Sequence, residues 1–257
     1  MHISKNDLKF ERCTIDGIST LSCFKTNAGK KPLIILSHAF WSAKEYWQAR
    51  LETFAELGYY SVALDNKGHG QRREPDFKER VFIEGRLNVY EVRRLIKETA
   101  DDVPKLINHF VAKEQVDAAR IGMIGVSMGG FITYRAIVIE ERIRVAVPII
   151  ASPYFDDVPR DVPAVNQPEI QQALKAYSRE YSPAHYLDRF YPRAILIQIG
   201  GLDKHINGKR VARFYRELTS YYQETPDKLE FVVEENAAHE FTTGMWDNAL
   251  NWFQKHL

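Results

Sequence analysis

The sequence predicts an α/β fold with a mostly parallel central sheet and helices on both faces. Three observations carry this reading. Apolar runs of strand length lack in–out alternation, as strands covered on both faces do: "PLIILSHAF" (32–40), "YYSVALD" (59–65), "ARIGMIG" (119–125), "RVAVPII" (144–150) and "RAILIQIG" (193–200). Helical patterns alternate with these runs. The 257 residues hold no internal repeat or low-complexity linker, so 1–257 reads as one domain. A Pro-rich stretch at about 152–191 interrupts it as a cap-like insertion.

Bulk properties exclude several classes. Lys and Arg number 35 against 34 acidic residues, a formal net charge of +1. Nothing here resembles the basic field that nucleic acid or an anionic membrane surface attracts. No stretch approaches the roughly 20 apolar residues of a membrane span. "MHISKNDLKFERC" lacks the apolar core of a secretory leader. A cytoplasmic chain is expected, with neither nucleic-acid nor membrane partners.

At the N-terminal end, Cys13 and Cys23 flank Asp16-Gly17, a two-residue hairpin signal. Such a turn pairs Ile15 with Ile18 and Cys13 with Thr20, leaving two free thiols rather than a bridge. Next, "SAKEYWQARLETFAELG" (42–58) reads as a helix. Ser42 and Glu45 suggest a capping box, Trp47, Leu51 and Phe54 share a face, and Gly58 is the stop. A charged excursion runs from about 66 to 86. A long helical pattern follows over about 89–113, with Leu95, Thr99, Val103, Leu106 and Phe110 on one face. Pro104 is expected to kink or divide it.

Further helices are predicted at 129–141, 208–222 and 244–257, with a last strand at 228–235. In the insertion, only "PEIQQALKAYSREY" (168–181) reads as helical, with Pro168 in its first turn. The insertion follows a strand at the edge where such sheets gather functional groups, so it is expected to roof the site.

The chemistry centres on "RIGMIGVSMGGF" (120–131). Ser127 lies between a buried strand and a helix. A sharp turn there exposes the side chain and brings the backbone on either side into contact. Gly125 and Gly129 meet that demand, in the G-x-S-x-G pattern of a nucleophile elbow. A serine needs a base and a group that orients the base. These should follow in the order acid, then histidine, each after a strand. Asp203 follows "ILIQIGGL" and His239 follows "LEFVVEEN".

The other histidines fit less well. His38 is expected to brace its own loop, and His205 lies at the wrong strand. His2, His109 and His256 read as solvated, and His69 and His185 have no strand-end placement. Oxyanion donors are expected from the backbone of Met128 and Phe40. Phe40, Trp41, Met128 and Tyr154 are expected to line a compact apolar pocket, with Trp41 and Tyr154 as substrate-binding residues.

The motifs G-V-S-M-G-G, L-S-H-A-F, L-D-N-K-G-H-G, G-G-L-D and A-A-H resemble the α/β-hydrolase superfamily. The pattern looks most like small bacterial esterases related to dienelactone hydrolase and to the catalytic domain of prolyl oligopeptidase. The resemblance implies an α/β-hydrolase fold and a Ser127–His239–Asp203 triad, with an oxyanion hole from Met128 and Phe40. It also implies no metal and no organic cofactor, and no chemistry for Asp65 or His69. The family usually has His-Gly where this chain has His38-Ala39; alanine would be strained there if the position needs positive φ.

The expected activity is serine-dependent hydrolysis of a small-molecule ester with a short acyl chain. Peptidase and thioesterase chemistry would use the same groups. A non-catalytic binding protein on the same scaffold is the reading from another class. The retention of all three triad residue types favours an enzyme.

Overall fold

The computed structural model describes residues 7–257, so His2 and the rest of the first six residues of "MHISKNDLKFERC" lie outside it. The chain runs β1 (Leu8–Ile15), β2 (Ile18–Lys25), β3 (Lys31–Ser37), α1 (Gln48–Glu56) and β4 (Tyr60–Leu64). There follow α2 (Phe77–Val81), β5 (Phe82–Ile83), β6 (Arg86–Leu87), α3 (Val89–Val111), β7 (Val116–Val126), α4 (Met128–Ile139) and β8 (Ile143–Ile149). The last third holds α5 (Pro168–Tyr181), β9 (Ala194–Gly200), α6 (Gly208–Thr219), β10 (Leu229–Glu234) and α7 (Thr243–His256).

The main sheet has the order β1-β2-β4-β3-β7-β8-β9-β10. From β4 to β10 every neighbouring pair is parallel, while β1 and β2 add an antiparallel edge. All seven residues of β3 and all seven of β9 are buried. That is why these strands read as unbroken apolar runs. One face of the sheet packs against α3, α4 and α6 and the other against α1 and α7. Every parallel strand thus points its carboxyl end to one edge, where β3, β7, β9 and β10 hand over to functional loops.

The hairpin has the register its turn dictates. Cys13 faces Thr20 and Ile15 faces Ile18, with Asp16 and Gly17 at φ 49° and 77°. Both cysteines are free.

Three local expectations give way to tertiary contacts. Ser42 does not cap a helix; residues 44–47 form a 3₁₀ turn and α1 begins at Gln48. The cause is Lys44, whose backbone N–H and Nζ both donate to the Asp65 carboxylate at 2.9 and 2.8 Å. Pro104 does not divide α3, which continues to Val111. Leu95, Ile96, Ala100 and Val103 before it and Leu106, Ile107 and Phe110 after it form one buried stripe. Burial of about 1.5–3 kcal/mol per large apolar side chain outweighs the roughly 3 kcal/mol cost of an interior proline. The charged excursion is not irregular throughout: it holds α2 and the small β5–β6 hairpin, turned by Glu84 and Gly85 at φ 52° and 74°.

Lys44 and Asp65 are both essentially shut off from solvent, at 1% and 0% side-chain exposure. Burial pushes the Asp65 carboxyl up, but the Lys44 ammonium and the N–H groups of Lys44 and Gln71 outweigh it and hold it below its usual value. Lys44→Met should therefore cost about 3–5 kcal/mol in urea unfolding, because it strands a buried carboxylate. A loss below about 1 kcal/mol would show that the pair does not hold these loops.

Candidate active site

Ser127 is the link between β7 and α4, at φ 54° and ψ −114°. A non-glycine residue there stores strain on the order of 1–3 kcal/mol, so its surroundings must hold it. The Ser127 N–H donates to the Ile149 carbonyl of β8 at 2.9 Å, and its own carbonyl accepts from Phe131 N–H at 3.1 Å. The turn is too tight for larger neighbours. A Cβ on Gly125 would lie 2.0 Å from the Gly129 carbonyl oxygen, and one on Gly129 would lie 2.0 Å from that of Ser37.

The Ser127 Oγ is 2.8 Å from His239 Nε2, and His239 Nδ1 is 2.8 Å from Asp203 Oδ2. An ionised Asp203 can only accept, so the ring proton sits on Nδ1 and Nε2 is left to accept the serine hydroxyl. The other carboxylate oxygen of Asp203 accepts from the N–H groups of His205 and Ile206 at 2.7 and 3.0 Å. Burial pushes the Asp203 carboxyl up, but His239 and these two donors outweigh it and lower it overall. The loops after β9 and β10 meet backbone to backbone. Gly201 N–H donates to Glu234 O at 2.8 Å and Leu202 N–H to Ala237 O at 2.9 Å. A Cβ on Gly200 would sit 2.3 Å from the Ala238 oxygen, so this approach needs glycine.

Met128 is the first residue of α4, so its N–H has no intrahelical acceptor. Phe40 lies on the loop after β3. The base of that loop is set by His38, whose Nε2 accepts from Asn66 N–H at 3.1 Å and whose Nδ1 bonds the Ala39 carbonyl at 2.8 Å. Burial pushes the His38 pKa down to about 4, so the ring is neutral. Its role is the bracing that its position suggests. Asp156 and Asp157 are engaged elsewhere: both bind the Arg210 guanidinium.

Residues 34–253 match the model of the "Alpha/beta hydrolase family". The chain belongs to that family. It is 26% identical to "Putative esterase YitV" of Bacillus subtilis (strain 168), over 97% of this chain and 100% of the relative. Among solved structures it resembles TT1662 from Thermus thermophilus, with TM-score 0.76 and 23% identity over 96% of this chain and 97% of the other. It also resembles a "Putative Dienelactone Hydrolase" from Klebsiella pneumoniae, with TM-score 0.69 and 16% identity over 97% and 99% of the two chains.

In this alpha/beta hydrolase, a cavity of about 370 Å³ opens at Ser127 and His239. Phe40, Trp41 and Met128 line it, as expected. Tyr154 does not. It sits under the Arg210 guanidinium, 4.0 Å from its ring centre, and edges onto Phe214. The insertion does not roof the cavity as expected; it supplies one lining residue, Pro159. Its helix α5 instead lies along α3, where Tyr177 meets Tyr90. The wall is built by α3 through Val89, Val92, Arg93 and Ile96.

His205 is closer to the chemistry than its sequence position suggests. Its ring stacks on His239 with centroids 4.5 Å apart, and its Nδ1 lies 2.7 Å from Asp161. A histidine two residues after the candidate acid was the available signal. Among the described residues, no cluster of three or more His, Cys, Asp or Glu is arranged to hold a metal. No helix among them is long and apolar enough to cross a membrane.

Ala39 is not strained: the left-handed residue of this loop is Trp41, at φ 61°. Ala39→Gly should therefore lower stability by about 0.5–1 kcal/mol through unfolded-state entropy without raising turnover. Thermal unfolding and ester kinetics check this; a gain in either would mean the loop wants glycine at 39.

Proposed function

We propose that this hydrolase is a serine esterase that cleaves short-chain carboxylic esters through an acyl-enzyme on Ser127. The observation that carries the reading is the hydrogen-bond chain from Ser127 Oγ through His239 to Asp203 at the wall of an apolar cavity. His239 Nε2 takes the hydroxyl proton as Oγ attacks the ester carbonyl. The backbone N–H groups of Met128 and Phe40 receive the oxyanion, and the positive end of α4 favours the same charge. His239 returns the proton to the leaving oxygen and then activates water to release the acid. Asp203 fixes the tautomer and offsets the imidazolium charge.

The cavity supports the choice of substrate. About 370 Å³ is near the small end of ligand sites. Its lining is mostly apolar, which suits a short acyl group better than a long chain or a peptide. The name of the Bacillus subtilis relative also says esterase.

Acetate to butyrate esters of p-nitrophenol should be hydrolysed, and palmitate esters much less well. A higher kcat/KM for palmitate would exclude a compact acyl site. Efficient cleavage of an aminoacyl amide or an acyl thioester would move the activity to peptidase or thioesterase. Ser127→Ala should keep the fold, abolish fluorophosphonate labelling and reduce kcat by roughly 10⁶. Retained turnover would place the chemistry on another residue, and an unlabelled, inactive wild type would indicate a binding protein.

Asp203→Asn should lower kcat by roughly 10⁴ while the fold is kept, because His239 would adopt the wrong tautomer. Steady-state kinetics beside a circular-dichroism melt separate this from unfolding. An equal loss on changing Asp156 or Asp157, with none at Asp203, would move the acid there.

A further inference from the structure

Arg93 is the one permanently charged side chain in the cavity wall, since the lining among the described residues contains no lysine and no carboxylate. It projects from α3 and is only 5% exposed. Its Nε donates to the Phe155 carbonyl at 3.0 Å and its Nη2 to the Asp157 carbonyl at 2.7 Å. Its guanidinium carbon lies 4.1 Å from the centre of the Phe131 ring. These contacts position the group, but none of them neutralises it. The nearby Asp157 carboxylate is already taken by Ser152 and Arg210. Nη1 has no acceptor among the described residues. A buried cation with no carboxylate in direct contact is costly, and here burial pushes the guanidinium pKa down to about 10 against the opposing pull of Asp157 and Asp156. A carboxylate held at Nη1 would relieve that cost.

The position of the cation relative to the nucleophile is also fixed. Phe131, under the guanidinium, is four residues after Ser127, in the first turn of α4, so the two lie about 6 Å apart along the axis. The leaving oxygen of an ester must face His239, which protonates it. The acyl part is then left to run along the α3–α4 wall toward Arg93. We infer that the acyl group taken by this hydrolase ends in a carboxylate that Arg93 binds, so that the preferred substrates are monoesters of short dicarboxylic acids. This rests on the serine-esterase reading above and narrows it.

The probes are p-nitrophenyl hemisuccinate and hemiglutarate, each against the neutral butyrate and valerate esters of matching length. Wild-type kcat/KM should favour the anionic member of each pair by about tenfold to a hundredfold, the range for a charge-assisted hydrogen bond in a buried site. Arg93→Met should abolish that preference and leave the neutral esters within a few-fold of wild type. Arg93→Lys should keep part of it, because charge remains but the fork is lost.

Equal or lower wild-type kcat/KM for the anionic esters would overturn the inference, and this measurement does not depend on any variant folding. So would an Arg93→Met protein that loses neutral and anionic turnover in equal measure, because Arg93 would then only pin the insertion through Phe155 and Asp157. Hydrolysis of neutral esters with no anionic preference sinks this inference and leaves the esterase reading intact. Failure to hydrolyse either class, with no probe labelling of Ser127, removes both.

Discussion

The turn at Ser127 is the constraint on which the rest of the structure depends. It is a residue at positive φ, packed so tightly that the flanking Gly125 and Gly129 have no room for a methyl group. That strain persists only because β3, β8 and α4 grip it from three sides. Ser37 closes against Gly129, and Ile149 accepts the Ser127 N–H. The central sheet therefore does more than bury apolar area. Its fully covered strands supply a frame stiff enough to hold one high-energy backbone conformation, and that conformation exposes the hydroxyl while aiming the N-terminus of α4 at it.

The same frame fixes the partners. Asp203 and His239 belong to separate loops, and the Gly200 contact with Ala238 lets those loops touch. On the other side, His38 bonds Asn66 and Lys44 bonds Asp65, joining the ends of β3 and β4 beneath the loop that carries Phe40. Buried polar groups with few alternatives serve this purpose well, since any shift leaves one unpaired. The cost of holding these loops in place is thus met by folding.

What the sequence made legible follows from what is local. The parallel sheet, the hairpin register at Cys13 and Thr20, and the elbow at Ser127 each depend on residues within a few positions of one another. Asp203 and His239 could be located because chain order and strand ends restrict the choice. What escaped is what long-range packing decides. Ser42 has the right spacing for a cap, yet Asp65, twenty-one residues beyond Lys44, takes hold of that segment first. Tyr154 lies close to Ser152 at a strand end, but Arg210 from α6 draws it away from the cavity. The insertion follows the right strand to act as a roof, but the apolar stripe of α5 finds α3 instead. Arg93 is not legible because an arginine on a helix normally faces solvent, and His205 lies at the wrong strand for the base. Only the fold shows the one against Phe131 and the other against His239.

The charges around the cavity have a spatial logic that bulk composition conceals. A chain with a formal charge of +1 looks electrostatically plain. Yet its cavity sets a lowered carboxylate, Asp203, behind His239 and an unneutralised guanidinium, Arg93, on the α3 wall, with apolar side chains between them. Water would screen both charges strongly, whereas an apolar lining screens them less. In the proposed mechanism, Asp203 would then favour the imidazolium formed as Ser127 gives up its proton. Arg93, on the opposite side, would favour an anion carried by the acyl chain. A substrate with its carboxylate at Arg93 would thus complete a field that the protein builds only in part.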